Sequence, residues 1–229
     1  MFIGHFALGF AGKKINKGPS LGTMLFAVQW LDLLWPLLVL TGVEKLSIEP
    51  GNTVFTPLNF ESYPWSHSML MAIVWGALFG ILYYAKTKNR NASLLLLFLV
   101  FSHWILDWIT HRPDLQLTPF SEMRAGLGLW NHKWATLIIE TLIFAAGILL
   151  YLRSTKAKNK TGAWALWALV GFLFIIYFMS VFGPPPDKVS MIAWTGMAQW
   201  LLVAWGYWID KNRVKYHFHP DLRRDPAQK

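Results

Sequence analysis

The chain of 229 residues contains no cysteine. Disulfides, thiolate ligands and a cysteine nucleophile are therefore excluded, and any bound metal must be held by histidines and carboxylates. Charge is scarce as well: Asp, Glu, Lys and Arg make up 14% of the chain against 55% hydrophobic residues, and the mean hydropathy is +0.36. Soluble domains carry about 25% charged residues, so this balance points instead to a polytopic membrane protein. Acids are scarcest, 12 Asp and Glu against 21 Lys and Arg, for a net charge of +9. The cations lie in short clusters between apolar runs and form no continuous basic face, which argues against nucleic acid as a partner. No internal repeat, low-complexity tract or Gly/Ser linker divides the chain. A single integral membrane domain over residues 1–210, followed by a basic cytoplasmic tail over 211–229, is the expected organisation.

What is present is a series of long apolar runs. Segments 21–40, 68–85, 92–109, 135–152, 164–182 and 191–209 are each long enough to cross a bilayer of about 30 Å. The connecting segments alternate in charge. Lys13, Lys14 and Lys17, then Lys86, Lys88 and Arg90, then Arg153, Lys156, Lys158 and Lys160, and finally Lys211, Arg213 and Lys215 fall on one side. By the positive-inside rule these loops and the C-terminal tail face the cytoplasm. Segment 1–12 is apolar, too short to cross, and followed by lysines, so it reads as a half-span or re-entrant helix. The expected fold is thus all-α: a transmembrane bundle of about six spans plus that short helix. Fourteen Trp, seven Tyr and 16 Phe suit aromatic belts at the lipid bilayer's interfaces.

Ionisable residues interrupt these runs, and inside a membrane segment such residues are costly and usually mark a site. His103, Asp107 and His111 are spaced i, i+4 and i+8, forming one stripe on a helix. With the topology above, Asp32 lies near the middle of the first span, His67 starts the second, and Glu140 lies early in the fourth. These groups fall at similar depth toward the outer face, and a shared polar cavity is the economical arrangement. The loops 41–66 and 112–134, stiffened by prolines, are placed to cover it. Each residue also has a plainer reading. His103 and Asp107 could be a hydrogen-bonded pair joining helices. Asp32 could satisfy backbone groups freed by a kink at Pro36, and His67 could be an interfacial histidine beside a capping Ser66. His111, Arg112 and Asp114 could be a charged helix end, and Glu140 could be protonated. His132, His217 and His219 read as solvated.

Several motifs carry a resemblance to a known family. They are Met1-Phe-Ile-Gly-His5-Phe-Ala, Leu31-Asp32-Leu-Leu-Trp35-Pro36, Tyr63-Pro-Trp-Ser66-His67-Ser68 and Ser102-His103-Trp-Ile-Leu-Asp107-Trp-Ile-Thr-His111-Arg-Pro-Asp114. Gly126-Leu-Gly-Leu-Trp130-Asn131, Glu140 and Phe182-Gly-Pro-Pro-Pro186 belong to the same pattern. The chain resembles a bacterial family of inner-membrane proteins described as membrane-bound, metal-dependent hydrolases, over nearly its whole length. That resemblance implies a metal-dependent hydrolase of the bacterial inner membrane, with His5, Asp32, His67, His103 and Asp107 as the positions most like metal-binding motifs. His111 joins them through its place on the stripe.

The chemistry follows from the donor set. A mixture of His and Asp without Cys suits a divalent metal, Zn²⁺ first and Mn²⁺ or Fe²⁺ next, as one ion or as two sharing a carboxylate. Such an ion lowers the pKa of water so that it attacks an ester or phosphodiester of lipid or envelope origin, with Glu140 or Asp114 handling the proton and Arg112 steadying an oxyanion. Ser66-His67-Ser68 and the His103/Asp107 pair are also similar to motifs of membrane phosphatidic-acid phosphatases. Those enzymes need an Arg about six residues before the second His, and here Leu97 stands there. The non-enzymatic alternatives are an ion or proton-coupled transporter using the same residues, and a non-catalytic metal-binding membrane protein.

Overall fold

The computed structural model describes residues 1–215; the end of the tail, with His217 and His219, lies outside the described residues. Helix α1 (Ile3–Ile15) is followed by α2 (Leu21–Val28) and α3 (Trp30–Leu40), a short α4 (Pro64–His67), and the long helices α5 (Met69–Thr87), α6 (Arg90–Thr110), α7 (Lys133–Ser154) and α8 (Lys160–Phe182). Two shorter helices, α9 (Val189–Met197) and α10 (Gln199–Lys211), complete the bundle. Among the described residues, α5, α6, α7 and α8 are the four helices long and apolar enough to cross a membrane. Their outer faces carry Ile81, Leu82, Leu142, Trp164 and Ile175, all exposed, as lipid-facing surfaces must be when the solvent is hydrocarbon.

Segment 21–40, expected as one span, is broken: α2 and α3 meet at 53°, and they make a fifth crossing only if the bent pair is one span. The break falls at Gln29, more than a turn before Pro36, which stays inside α3. Segment 191–209 is likewise divided, at Ala198. Helix α1 has 13 residues, about 20 Å, and does not reach across a bilayer. It is packed into the bundle, with His5, Phe6, Phe10 and Lys13 all buried.

Close helix contacts rely on glycine. Gly76 and Gly80 lie one turn apart on α5 and face α6, where an added Cβ would come within 2.9 Å of the Leu97 carbonyl oxygen and 3.0 Å of that of Ser93. This small-xxx-small pattern is how membrane helices approach one another when lipid supplies no hydrophobic drive. Gly147 of α7 lies directly on the backbone of Ala7, which presses α1 against α7.

The two ends of the bundle are built differently. At one end, strands β1 (Lys45–Ile48) and β2 (Leu58–Ser62) form an antiparallel hairpin, and β3 (Leu115–Gln116) pairs with β4 (Arg124–Ala125). These loops send Phe60 and Trp130 down onto His111, with ring centroids 4.9 and 4.1 Å away. At the other end β5 (Thr155–Ala157) pairs with β6 (Arg213–Lys215), and buried Lys13 binds Asp210 at 3.0 Å and the Pro19 carbonyl at 2.7 Å.

Candidate metal centre

His103 and Asp107 lie on the last two turns of α6, with the helical period placing both on its inward face. Counting back from Thr110, His103 sits about 10 Å inside the end of the helix. The broken segment brings the third group. Because α3 starts afresh at Trp30, Asp32 falls in its first turn, where the helix dipole favours a carboxylate. His67 comes from the joint between α4 and α5: Pro64 opens α4, Ser68 caps α5, and the imidazole is left between them.

The four side chains converge. His103 Nε2 lies 3.2 Å from Asp107 Oδ2 and 3.7 Å from Asp32 Oδ1, and His67 Nε2 lies 3.4 Å from Asp32 Oδ1 and 3.8 Å from Asp107 Oδ2. A tetrahedral ion with bonds of about 2.1 Å needs ligand atoms about 3.4 Å apart; Asp32, His67 and His103 form one candidate ligand group near that spacing, and Asp107 Oδ2 stands beside its two histidines. The hydrogen-bond pattern tests the fit further. His103 Nδ1 is 2.7 Å from the Val28 carbonyl, which can only accept, so Nδ1 carries a proton, and in the neutral ring Nε2 presents a lone pair. Val28 ends α2, and a helix end leaves its carbonyls without intrahelical partners; the break therefore supplies the acceptor. Buried His103 Nε2 has no hydrogen-bond partner of its own. Imidazole nitrogens and carboxylate oxygens thus face one another across 3.2–3.8 Å, contacts that protons on the rings or a metal ion between them would satisfy. Three of these side chains are at most 5% exposed, whereas that of Asp32 is 22% exposed, so the approach to the centre passes Asp32.

The other expected site residues surround this set. His5 stacks flat on His103 with ring centroids 3.5 Å apart, and its Nε2 lies 3.0 Å from Asp107 Oδ1, the oxygen turned away from His103 and His67. The Met1 nitrogen also lies against that oxygen. His5, His103 and Asp107 form a second candidate ligand group. His111 Nε2 stands 3.9 Å from Asp107 Oδ1, while its Nδ1 is 3.0 Å from Asp114 Oδ1. Tyr63 donates to Asp114 Oδ1 at 2.6 Å. Burial, reinforced by Asp114, holds the Tyr63 phenol well above its usual pKa, so it remains a donor. Arg112, with a side chain 38% exposed, reaches Asp114 Oδ2 at 3.4 Å and the amide of Asn59. Glu140, expected to handle a proton, is placed elsewhere: its Oε2 accepts from the Phe2 and Gly4 N–H groups at 3.0 and 3.4 Å. It satisfies the free donors at the start of α1, which packs along α7.

Residues 64–183 match the model of the YdjM inner membrane protein family, just over half of the chain. The chain belongs to that family. It is accordingly a bacterial inner-membrane protein, in agreement with its apolar helices. The part matched to the YdjM family runs from α4 to the end of α8, and so contains His67, His103, Asp107, His111, Arg112, Asp114 and Glu140. His5 and Asp32 precede it. No curated protein and no solved structure matches the chain.

Sequence reasoning missed Glu44, a buried carboxylate in the loop after α3 that binds Ser66 beside His67. Burial pushes its carboxyl above the ordinary range, while hydrogen bonds from Ser66 and Trp65 work in the opposite direction. The serine adjoining His67 was the signal available. Nothing in the sequence around Glu44, which sits with Lys45 and Glu49 in a charged loop, marks it as buried.

Proposed function

We propose that this protein is a membrane-embedded, metal-dependent hydrolase that cleaves an ester or phosphodiester of lipid or envelope origin. Asp32, His67, His103 and Asp107 hold one divalent ion, zinc by first choice. The observation that carries the reading is the approach of four lone-pair-bearing atoms at 3.2–3.8 Å, deep in an apolar bundle. An ion at that point supplies a Lewis acid and brings the pKa of a water toward neutrality. The remaining work falls to the chain's own groups. His111, held at Nδ1 by Asp114, presents Nε2 beside Asp107 Oδ1 at the edge of the centre, where it would accept a proton from water. Tyr63 and Asp114 fix that tautomer. Arg112 at the rim binds an anionic substrate oxygen. His5 orders Asp107 from its far oxygen, and Glu140 anchors the helix that carries His5. We read α2 with α3 and α9 with α10 as two broken spans, giving six crossings in one domain. Both basic ends then lie in the cytoplasm and the centre in the outer half of the membrane.

The test uses detergent-purified full-length protein. Metal content is measured by mass spectrometry, and hydrolysis of p-nitrophenyl esters and bis(p-nitrophenyl) phosphate is followed before and after chelation. The expected result is one ion per chain and hydrolysis that disappears with chelator and returns with zinc. A chain that takes up no ion from zinc, manganese or iron solutions overturns the proposal. A metal-loaded chain that is inert toward these substrates but passes cations in proteoliposomes replaces it with the transporter reading.

A further inference from the structure

We propose that Glu44 is a positioning residue of this centre: acting through Ser66, it decides which nitrogen of His67 carries the proton and thereby makes Nε2 available as a ligand. The consequence for metal rests on the reading above. The proton placement itself does not.

The geometry leaves little freedom. Ser66 Oγ lies 2.6 Å from Glu44 Oε2, 2.7 Å from His67 Nδ1 and 3.4 Å from the Tyr63 carbonyl. A serine hydroxyl has one proton to give. The carboxylate is the nearest acceptor and the charged one, and O–H···O⁻ bonds of this length are about twice as strong as neutral ones. The proton therefore points to Glu44, and Ser66 Oγ meets His67 as an acceptor. His67 Nδ1 must then carry a proton, and in the neutral ring it is the only one. Its Nε2 lone pair is left facing Asp32 Oδ1 at 3.4 Å and Asp107 Oδ2 at 3.8 Å.

Glu44 is fixed in this role by its other oxygen. Oε1 accepts the backbone N–H groups of Trp65 and Ser66 at 2.9 and 2.8 Å, so the carboxylate caps the start of α4 from a distant loop. The Glu44 N–H is itself bound to the Leu38 carbonyl at 3.1 Å, which ties the loop to the end of α3. One side chain thus joins the helix that carries Asp32 to the turn that carries His67. His103 and His111 obtain the same tautomer from the Val28 carbonyl and from Asp114, so His67 is the member whose orientation depends on a hydroxyl that could point either way. Ligating histidines held at the other nitrogen in this manner are more basic and fixed in orientation.

Glu44→Gln reverses the relay with almost no change in volume. The oxygen of the introduced amide takes over the two backbone N–H groups, and its NH₂ then donates to Ser66 Oγ. The Ser66 proton turns to His67 Nδ1, and the ring proton moves to Nε2, into the centre. The experiment measures ring ¹⁵N shifts of histidine-labelled, metal-free protein at pH about 8.5, above the ordinary imidazole value, and the shifts themselves distinguish the two neutral tautomers from the doubly protonated ring. His67→Gln identifies the resonance, and zinc affinity is measured by chelator competition on the same proteins. The wild type is expected to hold His67 as the Nδ1–H form and Glu44→Gln as the Nε2–H form. Zinc affinity should fall about 10–100-fold in Glu44→Gln and Ser66→Ala, and stay within about threefold of wild type in Ser66→Thr. Glu122→Gln, an exposed loop carboxylate, controls for loss of charge. Unchanged His67 shifts together with unchanged affinity in Glu44→Gln overturn the proposal. If Glu44→Gln does not fold, equal affinity in Ser66→Ala and Ser66→Thr overturns it instead. A tautomer switch between wild type and Glu44→Gln in a protein that binds no zinc keeps the relay and removes the metal reading.

Discussion

Replacing Asp107 with Asn tests the centre at the carboxylate that His5, His67, His103 and His111 all approach. Asp107 is 2% exposed; its Oδ2 is 3.2 Å from His103 Nε2, and its Oδ1 is 3.0 Å from His5 Nε2. Asparagine keeps the volume, removes the charge and puts an N–H where one oxygen was. Zinc binding by four-ligand sites is worth about 10–16 kcal/mol, so an average ligand contributes about 3 kcal/mol, and its loss weakens binding by about 10²–10³-fold. The metal-free protein should not suffer in proportion. The new N–H can donate to His103 Nε2, which offsets part of the loss of charge opposite His5 and the Met1 nitrogen. At zinc set to 100 times the wild-type Kd, zinc stabilises the wild type by about 2.7 kcal/mol, and a variant weakened 100-fold or more gains less than about 0.5 kcal/mol. The assay pairs chelator competition with thermal unfolding in detergent, with and without zinc. Equal zinc affinity in wild type and Asp107→Asn would refute the ligand assignment, whatever happened to stability.

His5→Ala should leave zinc stoichiometry unchanged and lower affinity by about tenfold, because His5 bonds the far oxygen of Asp107; loss of the ion altogether would make His5 a ligand. Gly147→Val should destabilise the bundle by about 1–3 kcal/mol, read as earlier thermal unfolding, since the added side chain meets the Ala7 backbone and only displacement of α1 relieves it. An unaltered melting temperature would show that α1 is not pressed against α7 at this point.

Local regularities were legible in the sequence. The helical period alone puts His103 and Asp107 on one face, because residues four apart are neighbours on any α-helix. Apolar runs of sufficient length marked α5, α6, α7 and α8, since hydrocarbon tolerates little else. Relations between segments were not legible. The runs at 21–40 and 191–209 are predominantly apolar, yet both are interrupted, and composition does not record where a helix breaks. The break at Gln29 decides most about the centre, because it turns Asp32 inward and frees the Val28 carbonyl for His103. His111 looked equivalent to His103 on the stripe, but Asp114 and Tyr63 hold it at the edge. Glu44 and Glu140 look alike as isolated acids. Packing gave one to Ser66 and the other to the first turn of α1. Periodicity is a property of one element and can be read from its residues, whereas a candidate ligand set drawn from three elements, α3, α4 and α6, exists only once close packing has set their separations and angles.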